Sequence, residues 1–255
     1  DKKIIYNTQH FNYIKQSKKI TDELIENSIL REEECSFINI NCDKNKHWEL
    51  KPCNESLYNG LSGISILFLE LYRETNQNKY LNYYYKIIQT AINQSKILPI
   101  ESAFRGYLSP IYPIILEKLY FDNIKYIEYI KNIFESIQRL DIEDIRKIQS
   151  CDYISGISGI IKLLRISYNI FGEEYISKNI IDKFIFVFNE RINSIEYKEF
   201  YQCGITHGIS GIVLSLSGYE NIEENLLKDM LHKEVELSIK QKDTKKWFSN
   251  LLSMI

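Results

Sequence analysis

The sequence predicts an all-α fold of repeated helical hairpins stacked side by side. Three observations predict it: a glycine motif that recurs four times, apolar stripes at helical spacing after the motif, and a low content of helix breakers, with 10 glycines and 4 prolines in 255 residues. The four segments are Asn59-Gly60-Leu61-Ser62-Gly63-Ile64, Arg105-Gly106-Tyr107-Leu108-Ser109-Pro110, Ser155-Gly156-Ile157-Ser158-Gly159-Ile160 and His207-Gly208-Ile209-Ser210-Gly211-Ile212. Their first glycines stand at 60, 106, 156 and 208, so the period is 46 to 52 residues, within the range of repeat architectures.

Residues 1–56 read as a helical lead-in and polar loop. Ile20, Leu24, Ile25 and Ile29 mark one amphipathic helix, and the polar stretch from Arg31 to Glu55 follows. Around Asn41 to Lys46 the composition predicts an exposed loop or hairpin. Residues 57–255 carry the repeats. After Gly63, Ile64, Leu67, Phe68, Leu71 and Tyr72 recur at helical spacing, as do Ile160, Leu163, Leu164 and Phe171 after Gly159. Second helices are marked by Leu81, Tyr84, Tyr85, Ile88 and Ile92, by Ile127, Ile130, Phe134 and Ile137, and by Ile176, Ile180, Phe184, Val187 and Phe188. Polar turns at Glu74 to Asn78 and Gly172 to Glu174 join the two helices of a unit, and no convincing period-two run argues for strands.

One hairpin cannot bury its apolar faces alone, so neighbours must stack, as an open solenoid or as a ring with one helix of each pair inside. Glycine pairs at the start of the first helices favour the ring, because they permit close backbone approach. They are also expected to leave helix N–H groups unpaired at the ring's mouth.

Bulk properties exclude several classes. A chain 44% hydrophobic and 26% charged folds rather than staying disordered. With 32 basic and 34 acidic residues and no basic block, nucleic acid is not an expected partner. No apolar run approaches the roughly 18 residues that span a bilayer. The five cysteines, Cys35, Cys42, Cys53, Cys151 and Cys203, lack CxxC spacing and read as thiols of a reducing cytoplasm.

Leu57-Tyr58-Asn59-Gly60-Leu61-Ser62-Gly63-Ile64 resembles the first glycine motif of the lanthionine synthetase C-like cyclases. Asp152-Tyr153-Ile154-Ser155-Gly156-Ile157-Ser158-Gly159 resembles their Asp-containing repeat, and Gly204-Ile205-Thr206-His207-Gly208-Ile209-Ser210-Gly211 their His-Gly repeat. The resemblance implies an α/α toroid, a double ring of helical hairpins whose inner helices begin at the glycine motifs, with about four of the seven repeats present. It implies a cyclase that adds a peptide cysteine thiolate to dehydroalanine or dehydrobutyrine, closing lanthionine or methyllanthionine rings. Its partner would be a dehydrated precursor peptide, leader plus core, and its cofactor zinc. His207 would transfer a proton to the enolate formed on addition, and Asp152 would assist or orient that step. Without the resemblance, an aspartate before a helix reads as an N-cap and a histidine beside glycine as a packed residue. Asp152 lies four residues before Gly156 and His207 one before Gly208, so superposed repeats place both at one end of the inner helices.

The family's zinc ligands, a cysteine in a Trp-Cys segment and an adjacent Cys-His pair, have no counterpart in this chain, so no metal ligand is assigned. The chain is therefore expected to represent the cyclase domain incompletely and to be inactive alone. Cys203 and His207 are four apart, but Gly204 interrupts a helix there and two ligands are too few. His10, His47 and His232 lie outside the motifs, and Arg105 shares the register of His207. Ser102 to Tyr112 and Glu234 to Trp247 are similar to the bifunctional class II synthetases, in which a dehydratase domain precedes the cyclase; a stand-alone cyclase is the alternative. Two other readings remain: a non-catalytic peptide-binding toroid, and an α/α-toroid glycosidase, which needs two carboxylates about a sugar bond.

Overall fold

The computed structural model describes residues 13–42, 46–122, 125–194, 202–219, 222 and 224–243. The chain forms two compact units, Asp1–Gln94 and Ser95–Ile255. His10, Trp247 and the tip of the Asn41–Lys46 segment lie outside the described residues.

In the first unit, helix α1 (Tyr13–Glu26) leads to two antiparallel ribbons, β1 (Ile29–Leu30) with β2 (Cys35–Ser36) and β3 (Ile38–Cys42) with β4 (Trp48–Pro52). Helices α2 (Leu61–Thr75) and α3 (Asn78–Ser95) follow. The β3–β4 ribbon flanks the Asn41–Lys46 stretch, in accord with the exposed loop or hairpin expected there, although no convincing period-two run marks its strands. Ile38-Asn39-Ile40-Asn41-Cys42 does alternate, but over five residues, and its partner strand keeps Leu50 and Trp48 exposed. Such a segment shows little of the burial contrast that marks a strand. The ribbon region is pinned to α3: Cys35 N–H donates to Thr90 Oγ1 at 3.0 Å, Lys86 Nζ to Glu32 O at 2.6 Å, and Gln94 Nε2 to Cys53 O at 3.3 Å. Burial pushes the Cys35 thiol up to about 11. The turn between α2 and α3 is where the polar stretch predicts it. Asn76 takes a left-handed conformation (φ 52°) and returns its N–H to Tyr72 O at 2.7 Å, a role short polar side chains tolerate.

The second unit contains α4 (Ile111–Phe121), α5 (Ile127–Gln138), α6 (Ile142–Arg146), α7 (Ile157–Phe171), α8 (Lys178–Ser194), α9 (Ile209–Leu216) and α10 (Glu224–Asp243). The first helices of successive repeats, α4, α7 and α9, pack in a row, and α8 and α10 pack behind α7 and α9. The predicted stripes face the interior: Ile160, Leu163 and Leu164 of α7, Ile130, Phe134 and Ile137 of α5, and Ile180, Phe184, Val187 and Phe188 of α8 are all buried. Arg165 of α7 donates to Ser215 O, Ser217 O and Gly218 O at 2.8, 3.1 and 3.3 Å, satisfying carbonyls at the end of the short helix α9. The short helix α6 opens with a capping box on Asp141 and Asp144 and is tied to α8 by Arg146 with Glu190 at 2.8 Å, which fixes the start of the loop before α7.

The glycine motif closes each loop onto its helix. Ile157 N–H donates to Ser150 O at 3.0 Å, Ile209 N–H to Gln202 O at 3.2 Å, and Leu61 N–H to Asn54 O at 2.8 Å, each seven residues back. Ser62, Gly63 and Gly211 repeat the pattern with Glu55, Ser56 and Gly204. The expected unpaired N–H groups are therefore absent at these positions, since loop carbonyls meet donors that a helix cannot satisfy internally. The chain must fold back so closely that a Cβ on Gly159 would overlap Tyr153 O, and one on Gly211 would overlap Ile205 O. The second repeat is the variant: Ser109 replaces the second glycine, Pro110 caps α4, and Gly106 turns at φ 72°.

In an open helix, glycine to alanine gains up to about 1 kcal/mol. At Gly159 the sign is expected to reverse: Gly159→Ala should lose about 2 kcal/mol through overpacking. Urea unfolding measures it, and a stabilised variant would contradict the loop closure.

Candidate functional site

The loops before α7 and α9 converge. Ile154 N–H donates to Thr206 O at 3.2 Å, joining two repeats through their backbones. Gly211 lies against Tyr153, where an added Cβ would meet the tyrosine Cβ at 2.8 Å. This seam sets Asp152 beside His207, with Nδ1 of the imidazole 3.0 Å from Oδ2 of the carboxylate. The two residues named from the motif register thus meet, on the same side of their helices, and their side chains are 15% and 34% exposed.

Asp152 has two separate duties. Its Oδ1 accepts the Ser155 N–H at 2.5 Å, bracing the turn that leads into α7. Its Oδ2 accepts the Ser150 hydroxyl at 3.0 Å and faces His207. The first duty belongs to the repeat as such. Ser56 Oγ accepts the Asn59 N–H at 3.3 Å and Ser102 Oγ accepts the Arg105 N–H at 3.1 Å, each four residues before its motif glycine. The second duty is particular to Asp152. An ionised carboxylate is acceptor-only, so the geometry suits a proton held on Nδ1 and shared with Asp152, with Nε2 turned away from that contact. A carboxylate so placed fixes the tautomer and steadies a positive imidazolium, the arrangement needed for proton transfer.

Aromatic side chains stand next to the pair. Tyr153 meets Phe104 edge-on at 5.2 Å, and Phe104 meets Tyr112 at 5.9 Å. Burial, and then the neighbouring Tyr153, push the Tyr112 phenol up. Ser150 and Ser155, on either side of Asp152, also line a cleft of about 760 Å³ with Ile100, Glu101, Leu140 and Lys147. Sequence reasoning passed over Phe104, Tyr112 and Tyr153; their positions within or beside the glycine motifs were the available signal. Arg105, in the register of His207, is exposed, as are His47 and His232.

The remaining polar contacts concern Cys203. Its Sγ–H donates to Glu234 O at 3.6 Å, and burial, then the charge of Glu234, push the thiol up. The His207 Nδ1 is directed at Asp152, and Cys203 with His207 would give an ion only two ligands. Among the described residues no group of three or more His, Cys, Asp or Glu side chains could hold a metal ion. Nor is any described helix long and apolar enough to cross a membrane.

A family model described as Lanthionine synthetase C-like protein matches residues 51–252. No curated protein matches the chain. Members of that family generally bind zinc, but the donor set described above does not fit the ion. The match covers most of the chain, and the all-α hairpins and glycine-started helices agree with the family's α/α-toroid architecture. The chain belongs to the lanthionine synthetase C-like family.

Proposed function

We propose that this chain serves thioether-ring closure in a dehydrated precursor peptide, with His207 as the proton-transfer residue and Asp152 as its partner. In the reaction a cysteine sulfur bonds to the β-carbon of dehydroalanine or dehydrobutyrine, and the double-bond electrons move to the α-carbon to give an enolate. The thiol proton is lost and one proton is gained at the α-carbon, so atoms and charge balance. His207, with Nδ1 anchored on Asp152, presents Nε2 to exchange that proton. The observation supporting this reading is the 3.0 Å contact between motif residues of adjacent repeats.

No step is assigned to zinc, because the described residues offer it no ligand set. Ring closure is favoured over sugar cleavage because Asp152 is answered by an imidazole, whereas glycoside hydrolysis calls for a second carboxylate. The five cysteines, none in a disulfide, accord with work in a reducing cytoplasm. A dehydratase, on the same longer protein or separate, would supply the unsaturated residues.

Ring closure is read by mass spectrometry, as protection of peptide cysteines from N-ethylmaleimide, in a protein that carries this chain within a complete cyclase domain together with the family's zinc ligands. His207→Asn should slow closure about a hundredfold or more, with peptide affinity kept. A variant as fast as the wild type would overturn the role of His207. Peptide binding without protection in the wild type would favour a binding module instead.

Asp152→Ser separates the two duties of the carboxylate. Serine already braces the equivalent turn at Ser56 and Ser102, so the turn is kept and unfolding free energy should fall only by the lost His207 contact, about 1 kcal/mol. Ring closure should nevertheless fall about a hundredfold. Equal losses of stability and activity would mean that Asp152 acts as a turn residue alone.

A further inference from the structure

We propose that Glu234 of α10 is a positioning residue that holds the His207 loop against Asp152. The proposal rests on His207 being the proton-transfer residue. In the first three repeats a side chain four residues before the motif glycine braces the loop: Ser56, Ser102 and Asp152. The fourth repeat has Gly204 at that position, with φ 104° and no side chain to offer. The brace comes instead from the helix behind. Glu234 Oε1 accepts the Gly204 N–H at 2.5 Å, and Oε2 accepts the Ser210 hydroxyl at 2.5 Å.

One carboxylate therefore ties both ends of the loop 204–210, and His207 sits midway between the ties. Ser210 has been redirected to make this possible. The matching serine of the first repeat, Ser62, donates to the loop carbonyl Glu55 O at 2.5 Å. Hydrogen bonds to an ionised carboxylate are stronger than neutral ones, and Glu234 is half-buried between α9 and α10, where such bonds weaken less in water. Cys203 adds a third link to the same residue, from Sγ–H to the Glu234 carbonyl at 3.6 Å. The carboxylate touches no motif aspartate or histidine, so its effect on proton transfer is indirect, through the loop.

The test is nitrogen-15 NMR of the histidine rings in the whole chain, which needs no turnover and so stands apart from the proposed reaction. In the wild type the His207 ring should show one tautomer, with a downfield Nδ1–H shared with Asp152. Glu234→Ala should abolish that resonance and give a mixture of tautomers. Glu234→Gln should restore it, because the amide oxygen still accepts the Gly204 N–H. The exposed neighbour on the same helix, Glu236→Ala, should leave it unchanged. If Glu234→Ala does not fold, Ser210→Ala removes one tie and should weaken the same resonance. An unchanged His207 spectrum in Glu234→Ala, or in Ser210→Ala where that variant stands in, would overturn the proposal. So would loss of the resonance in Glu236→Ala or failure of Glu234→Gln to restore it.

Discussion

The described structure depends on one contact: a loop carbonyl set against the first turn of the helix it precedes. That contact answers a physical problem, because the first N–H groups of a helix have no partner within it. Side-chain caps solve it elsewhere; here Ser150, Gln202 and Asn54 solve it with their backbones. The solution demands that the loop lie where a Cβ would otherwise stand. Glycine at 156, 159, 208 and 211 is the consequence. The repeat is thus a repeat of a backbone fold-back, and the helices inherit their starting points from it.

The site follows from the same contact. Folding back makes each loop a compact knob at the end of its helix, and helices packed side by side bring neighbouring knobs together. Ile154 and Thr206 then share a backbone hydrogen bond, and Tyr153 fits the space that Gly211 leaves. Asp152 and His207 need travel no further to meet. Each repeat alone is incomplete: the third supplies a carboxylate whose turn duty is common to its relatives, and the fourth supplies the imidazole. At the position of Asp152 the first two repeats have serine, Ser56 and Ser102, and the fourth has glycine, Gly204.

Much of this was legible in the sequence because it was written in local periodicity. The helices of the hairpins announced themselves through stripes such as Ile160-Leu163-Leu164 and Ile180-Phe184-Val187-Phe188, all buried. Register alone brought Asp152 and His207 to the same end of their helices. What stayed hidden depends on contacts without a spacing rule. The carbonyls that cap α2, α7 and α9 are backbone atoms, which leave no mark on residue type, so the N–H groups looked unpaired. The ribbon at Ile38–Cys42 is too short and too exposed to carry a burial signal. Glu234 lies thirty residues beyond Gly204 on a different helix, and no local pattern links the two. The absent side chain at Gly204 was the clue, since a missing brace must be supplied from elsewhere.

The measurement that tests the account most directly is a double-mutant cycle in unfolding free energy between Asp152 and His207, using Asp152→Ser, His207→Asn and the pair together. If the seam joins these side chains as described, the effects are not additive, and the coupling is about 1 kcal/mol. Additive effects would mean that the two motif loops do not bring their side chains together, and the assignment of a shared proton would fall with them.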